Sequence, residues 1–391
     1  MKKNTLLFVL FCSFATGFAQ QKDSILSATI TAHIFKPATV DATDALIGDF
    51  KKPKGFTVKK FAGDLGRPRM MALGPNGEIY VTSREEGYVM MLKDENQDGI
   101  AEVKQKLLIK ENAHGITVKN GMLYLITVND VYKAKINPDG TLGNLEQIVK
   151  DLPDGGQHNN RTLAFGPDGM LYISVGSTCN ACDETRDENA TMVRVDSTGN
   201  GRTIYAKGLR NTIGFDWEPT TQTFYGLDHG IDWLGDEIQM EELNVIEENG
   251  NYGWPYIYGK SQYNLADEPP TMTYPEYAAQ SIEPVMQLKA HAAPLDFKFY
   301  KGAMFPAEYK NSALVSLHGS WNREKPSGYK LIWIRYENGK PVAQEDFITG
   351  FLTDGNKEII GRPVGLLELK DGSVLVSDDE NGNIYRITYG I

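Results

Sequence analysis

The strongest constraint on this chain is a unit that it repeats. A polar lead-in precedes an apolar run, a tight turn and a second apolar run that ends in polar residues. The clearest copy lies within residues 151–184. Gln157, His158, Asn159, Asn160 and Arg161 lead in, Gly166-Pro167-Asp168-Gly169 turns, and Ser177 and Thr178 close the second run. Pro167 presets φ and Asp168-Gly169 tolerates tight-turn geometry, while the flanking apolar, β-branched and aromatic residues suit paired strands. In such a hairpin His158 and Arg161 share an edge with Ser177 and Thr178. The same grammar starts at Arg67, His114, Arg210 (with a turn rebuilt around Thr220 and Thr221), near His291 and at Arg362. Further strand-like runs follow at 87–92, 130–136 and 329–336. The early copies recur at roughly 40–50 residues, the length of a propeller blade. Six four-stranded units predict an all-β fold, a six-bladed β-propeller, which leaves no long sheet edge exposed. Residues 56–61 are expected to supply the outer strand of the last blade beside 383–388, and the insert 233–287 to form loops over one face.

Before the repeats, residues 1–19 read as a secretion signal. Lys2-Lys3 precede an apolar stretch over 6–19, and Gly17 and Ala19 offer small residues for cleavage after Ala19. Residues 20–53 read as an N-terminal extension and 54–391 as the propeller. No other stretch is long and apolar enough to span a membrane. A net charge of −11 and a pI near 5.2 argue against nucleic-acid binding. The expected location is periplasmic or secreted. Cleavage would remove Cys12 and leave Cys179 and Cys182, for which a local disulfide is the main expectation in an oxidising compartment. Thiol catalysis and zinc binding are the minor alternatives.

A propeller brings its first-strand starts and second-strand ends to one rim around the axis. Here those positions carry Arg67, Arg69, Arg84, His114, His158, Arg161, Arg210, Asn211, Asp228, His229, His291, His318, Arg362, Asp378 and Asp379. Five of the chain's six histidines fall in that set. An acidic protein that gathers Arg and His on one rim is expected to bind an anionic ligand there, with imidazoles available for proton transfer. His114, His291 and His318 are expected to line the pocket. A separate signal is the loop carrying Asp94, Asn96, Asp98, Gly99, Ile100 and Glu102, whose alternating oxygen ligands suit calcium. Its twelfth position lacks the glutamate of an EF-hand, so a short calcium hairpin is expected instead.

Several stretches carry a family resemblance: Gln157-His158-Asn159, Gly208-Leu209-Arg210-Asn211, Asp228-His229-Gly230, Glu242-Leu243-Asn244, NGNYGWP at 249–255 and HGSWNR at 318–323. In this order they resemble the glucose/sorbosone dehydrogenase family of six-bladed propellers, many of which use pyrroloquinoline quinone (PQQ) and calcium. The last two stretches place the chain nearest the sorbosone and pyranose dehydrogenase-like branch. The resemblance implies that His158 is the general base and that Arg210 and Asn211 contact the quinone, Arg210 also stabilising charge on it. It implies that the carbonyls of Gly230 and Ile231 hold calcium and that Arg362 pairs with PQQ carboxylates. His318 and Arg323 stand where soluble glucose dehydrogenases have a cofactor-binding Lys, Gln157 stands where they have Asp, and His114 joins the cofactor-lining set. Glu242 and the Tyr252 carbonyl resemble a second, structural calcium site.

The expected protein is therefore a quinoprotein oxidoreductase acting on a small-molecule sugar or related polyol or aldehyde, with an external electron acceptor such as a cytochrome or the quinone pool. The alternatives are a calcium-dependent lactonase-type hydrolase and a non-catalytic carbohydrate-binding propeller. The hydrolase would need a central metal held by side-chain carboxylates, whereas the rim candidates are mainly Arg and His.

Overall fold

The computed structural model describes residues 33–353 and 355–390. The signal peptide, its cleavage site, Cys12 and the first part of the extension lie outside the described residues. Six sheets of at least four strands form the blades of a propeller. The first blade runs Pro68–Leu73, Ile79–Ser83, Tyr88–Lys93 and Val103–Ile109 from the axis outward. The fourth runs Thr212–Trp217, Phe224–Asp228, Glu241–Val245 and Met286–Leu288, and the fifth Pro294–Phe299, Ala313–Leu317, Lys330–Glu337 and Lys340–Ile348. The ring closes through the chain ends. Phe56–Ala62 pairs antiparallel with Asn383–Tyr389, Phe56 opposite Tyr389, as the outer strand of the last blade.

The second strand of each blade is almost wholly buried, as in Ile79–Ser83, Leu171–Val175 and Ala313–Leu317. Those strands are packed on both faces, so they read as apolar runs rather than as alternation. Hydroxyls within them tie one blade to the next. Thr82 Oγ1 donates to the His114 carbonyl at 2.7 Å, Ser377 Oγ to the Arg69 carbonyl at 2.6 Å, and Ser316 Oγ to the Val364 carbonyl. Each bond satisfies a buried polar pair and fixes where the neighbouring first strand begins, which sets the rim. Tyrosines do the same farther out: Tyr80, Tyr225 and Tyr300 donate to the carbonyls of Gly140, Gly339 and Gly372, each at 2.8 Å.

The insert differs from the expected loops over one face. Part of it, Gly250–Asn251, pairs in parallel with Thr203–Lys207 and widens the third blade to five strands. The described part of the extension, from His33, packs along the last two blades. Ile34 bridges Asn322, Ala38–Thr39 pairs with Glu358–Ile359, and Lys51 bridges Thr349. Thr43 caps the short helix Asp44–Gly48 through a bond from Leu46 N, and Ile47 and Phe50 bury against Phe351 and Tyr385. No helix among the described residues is long and apolar enough to cross a membrane.

Candidate active site

A cavity of about 440 Å³ opens on the rim between the third, fourth and fifth blades, lined by Gln157, His158, Asn180, Arg210, His229, Gly230, Asp232, Trp233, Glu241, His291, Ala293 and Trp321. His158 arrives on the loop before Leu163–Phe165. Arg161, fully buried, holds that loop by donating to the carbonyls of His158 (2.8 Å) and Pro153 (2.9 Å). Gly176 leaves the space: a Cβ there would sit 2.7 Å from His158 Cβ and 2.8 Å from Asn211 Oδ1. His158 Nδ1 lies 3.0 Å from the Ser177 carbonyl and 2.8 Å from Ser177 Oγ. Ser177 Oγ itself donates to the Cys179 carbonyl at 2.7 Å. Both partners of Nδ1 are therefore acceptors, so Nδ1 carries the proton and Nε2 keeps its lone pair, with no hydrogen-bond partner among the described residues. Burial, the Arg210 guanidinium and His229 push the His158 pKa down to about 2, so the ring is neutral.

Arg210 begins the fourth blade. Asp228, at the end of the next strand, accepts from the amides of Arg210 and Asn211, both at 2.8 Å, and from Thr212 Oγ1. The guanidinium is buried. Its Nε donates to the Asn180 carbonyl at 2.9 Å, and Nη2 donates to Asn180 Oδ1 and to Asp232 Oδ2 at 2.8 Å. Cys179 and Cys182 form the expected disulfide across that loop, so the bridge braces the segment that presents Asn180.

Gly230, Ile231 and Asp232 form an unusual run. Their three amides donate to three side chains: Glu241 Oε2 at 2.8 Å, Gln239 Oε1 at 3.0 Å and Asn180 Oδ1 at 3.0 Å. The carbonyls of Gly230 and Ile231 take no hydrogen bond among the described residues. Only glycine fits at 230, where a Cβ would stand 2.7 Å from the Gln239 carbonyl. Glu241 also accepts from Ala293 N at 3.0 Å, an amide exposed by positive φ at His291 (61°) and Ala293 (53°). His229 Nε2 meets the Pro294 carbonyl at 2.6 Å, and burial brings its pKa down to about 4.

Burial pushes the Glu241 pKa up to about 8, against the two amides that favour its charged form. A folded pKa above the unfolded one stabilises the fold fully below the unfolded value and loses that contribution as pH rises through about 8. The melting temperature of cation-free protein is thus expected to fall between pH 6.5 and 8.5, and Glu241→Gln to lessen that fall by about 2 °C or more. Parallel slopes in scanning calorimetry with a chelator would refute this.

The other sequence candidates fall into three groups. Arg362 and His318 stand on the same rim beside the last blade. Arg362 donates to the carbonyls of His318 (3.1 Å) and Gly319 (2.7 Å), and His318 Nε2 meets Asp379 Oδ1 at 2.8 Å. A second group is withdrawn from the cavity, which corrects two expectations. His114 is fully buried, with Nδ1 2.9 Å from the Arg161 carbonyl and Nε2 accepting from Arg69, so its nitrogens are spent joining blades. Arg323, also buried, donates to the carbonyls of Lys325 and Asp236 and to Glu237, bracing the insert. Glu242 accepts from Gly259 N (2.6 Å) and Gln239 Nε2 (2.9 Å), and burial raises its pKa to about 7. Tyr252 is held by Val245, Glu247 and Lys207, and no hydrogen bond joins it to Glu242.

The third group is the acidic loop. It joins Tyr88–Lys93 to Val103–Ile109 and therefore lies on the face opposite the cavity. Ligand oxygens of Asp94, Asp98 and Glu102 lie within 4.8 Å of one another. Asn96 Oδ1 accepts from Asp98 N at 2.8 Å, and Asp98 Oδ1 from Ile100 N at 2.9 Å, which folds the loop around its oxygens. If calcium binds there, it stabilises the native state by mass action. Asp98→Ala is then expected to shrink the calcium-induced rise in melting temperature. An unchanged rise in differential scanning fluorimetry would assign the response elsewhere.

Sequence reasoning missed Asn180, Asp232, Trp233, Glu241 and Trp321. Glu241 was hidden beside Glu242, because one strand turns adjacent side chains to opposite faces.

Known proteins share this architecture. The model of the TrAA12-like family matches residues 50–390. An uncharacterized protein of Borreliella burgdorferi is 31% identical over 366 residues, covering 89% of this chain and 93% of that one. A pyrroloquinoline quinone-dependent pyranose dehydrogenase of Coprinopsis cinerea is 25% identical; the match covers 85% of this chain, which spans only about half of that protein, 54% of its length. Among solved structures, the calcium structure of the Trichoderma reesei family AA12 enzyme superposes with a TM-score of 0.77 at 20% identity, covering 90% of this chain and 100% of that one. The repeat, the ring closure and the family match agree: this chain belongs to the TrAA12-like family.

Proposed function

We propose that the cavity binds PQQ beside a calcium ion and oxidises a hydroxyl of a sugar or related polyol or hydrated aldehyde. One observation carries the reading. The same cavity gathers a lone-pair nitrogen on His158, the buried Arg210 cation and Gly230, whose carbonyl, like that of Ile231 next to it in the chain, takes no hydrogen bond among the described residues. Calcium favours such oxygen donors, and guanidinium groups suit carboxylate recognition, so the residues fit both groups. When bound, PQQ would supply the two-electron acceptor and calcium a Lewis acid. The Coprinopsis relative, by its name, depends on the same quinone.

His158 Nε2 takes the hydroxyl proton in this reading, with Nδ1–H anchored on Ser177 so that the ring keeps its tautomer. Arg210 is the second cause of the depressed His158 pKa. An anion that neutralises Arg210 removes that cause and moves the base toward working pH. Trp233 and Trp321, 46% and 52% exposed, stand at the mouth of the cavity and offer indole faces to a sugar ring. Electrons would leave to an external acceptor, a cytochrome or the quinone pool. The reading includes export, which the disulfide suits.

The test is titration of purified protein with PQQ, followed by absorbance, with and without calcium, and then dye-linked dehydrogenase assays on a sugar panel. Activity is expected only when both are present. Absence of PQQ binding at tens of micromolar in calcium would defeat the quinoprotein reading.

A further inference from the structure

A second, smaller cavity of about 70 Å³ lies on the first-blade side of the rim, lined by Arg67, Arg69, Arg84, Glu85, Asn160 and Asp379. Its charges do not balance. Arg69 pairs with Asp379 at 2.5 Å and Arg67 with Glu85 at 3.1 Å. Arg84, half-buried at the end of Ile79–Ser83, makes no hydrogen bond or ion pair with any described residue, and its Nε is buried without a partner. Asn160 Oδ1, in the same cavity, is likewise buried without a partner among the described residues. Buried polar groups are normally satisfied, and an orphaned cation beside an orphaned amide calls for a missing ligand. Burial and the neighbouring Arg69 lower the Arg84 pKa by more than Glu85 raises it.

We propose that Arg84 and Asn160 form an oxyanion subsite that takes one carboxylate group. A guanidinium presents a planar fork of donors matched to a carboxylate. Asn160, with its amide turned over, adds an N–H from the same cavity's lining; which end of an amide faces a site is decided by its hydrogen-bond partners. One unpaired positive charge calls for one negative charge. At about 70 Å³ against about 440 Å³ for the main cavity, the space suits a carboxylate head better than a whole sugar ring. Asn160 lies two residues beyond His158, so a molecule held in the main cavity has the subsite on the far side of the same loop. Under the proposed function, on which this part rests, the carboxylate has two sources: the quinone cofactor or an acidic sugar.

The deciding experiment needs neither source. Melting temperatures of cofactor-free wild-type and Arg84→Gln protein are compared in sodium acetate and in sodium chloride at equal ionic strength. Acetate is expected to raise the wild-type melting temperature above its chloride value and to give no such difference in Arg84→Gln. An equal acetate effect in both proteins overturns the subsite. Asn160→Asp, which places a carboxylate in the same cavity as Arg84, is expected to abolish the acetate effect in a second, independent way, and a full acetate effect in it also counts against the subsite.

The source is then read by binding. A roughly 10- to 100-fold rise in the PQQ dissociation constant of Arg84→Gln, the worth of one charge-assisted bond, assigns the cofactor. Unchanged PQQ binding with lost binding of glucuronate by calorimetry assigns the acidic sugar. Wild-type protein that responds to acetate but binds no PQQ would retire the quinoprotein reading and leave the subsite standing.

Discussion

Replacing His158 by glutamine is expected to lower kcat by roughly 10²–10⁴-fold, the contribution of a general base, while PQQ and calcium binding change only a few-fold. The asymmetry follows from the separate anchoring of the two functions. The imidazole hangs on Ser177 through Nδ1, whereas Arg210 is fixed by Asn180, Asp232 and Asp228. Glutamine can keep a donor toward Ser177 but offers no basic nitrogen at the Nε2 position. Loss of turnover with the PQQ absorbance titration intact is the expected pair of results. Near-normal turnover would move the base elsewhere. His229 is then the next candidate: its Nε2 is taken by the Pro294 carbonyl, and it lines the same cavity.

Arg210→Ala is expected to act on cofactor affinity, rate and stability together. The guanidinium joins three otherwise separate segments: the start of the fourth blade, the disulfide loop through Asn180 and the run after Gly230 through Asp232. Removing it leaves Asp232 without its arginine partner and takes one donor from each Asn180 oxygen, the carbonyl keeping Trp254 Nε1 and Oδ1 keeping Asp232 N. Breaking a buried pair from one side costs on the order of 3 kcal/mol, less here because Asp232 keeps 27% of its side chain in solvent. Loss of a preorganised cation at a developing negative charge is worth roughly 10²–10³ in kcat. Calorimetric unfolding, PQQ titration and dye-linked kinetics on one preparation separate the three effects. Arg210→Lys should recover stability better than rate, since lysine restores the charge but not the fork to Asn180 and Asp232. Full kinetic rescue by lysine would reduce Arg210 to a point charge.

The sequence by itself determined the propeller. Turn chemistry at Gly166-Pro167-Asp168-Gly169 and its copies, with apolar runs of strand length between them, is local information, and only a closed ring buries six such units without leaving edges. It also determined which rim carries the histidines and arginines, because strand direction alternates within a blade and the polar lead-ins recur at one end. The partner of Phe56–Ala62 was readable for the same reason: a last blade one strand short has one strand left to recruit.

Only the tertiary structure decided which rim residues face the cavity. His114 and His158 both belong to polar lead-ins, His114 two residues before the strand that starts at Ile116 and His158 five before the one that starts at Leu163, yet His114 is fully buried between Arg69 and the Arg161 carbonyl, while His158 stands in the cavity wall. Arg323, in the specific HGSWNR stretch, likewise turns inward to brace the insert. Repeat position sets height along the axis, but side-chain direction depends on contacts with neighbouring blades and on loops far away in sequence. Asn180, 30 residues from Arg210, and Glu241, 52 residues from Ala293, reach these partners only once the blades have packed. The sequence could name the residue types on the rim; the packing of blade against blade chose among them.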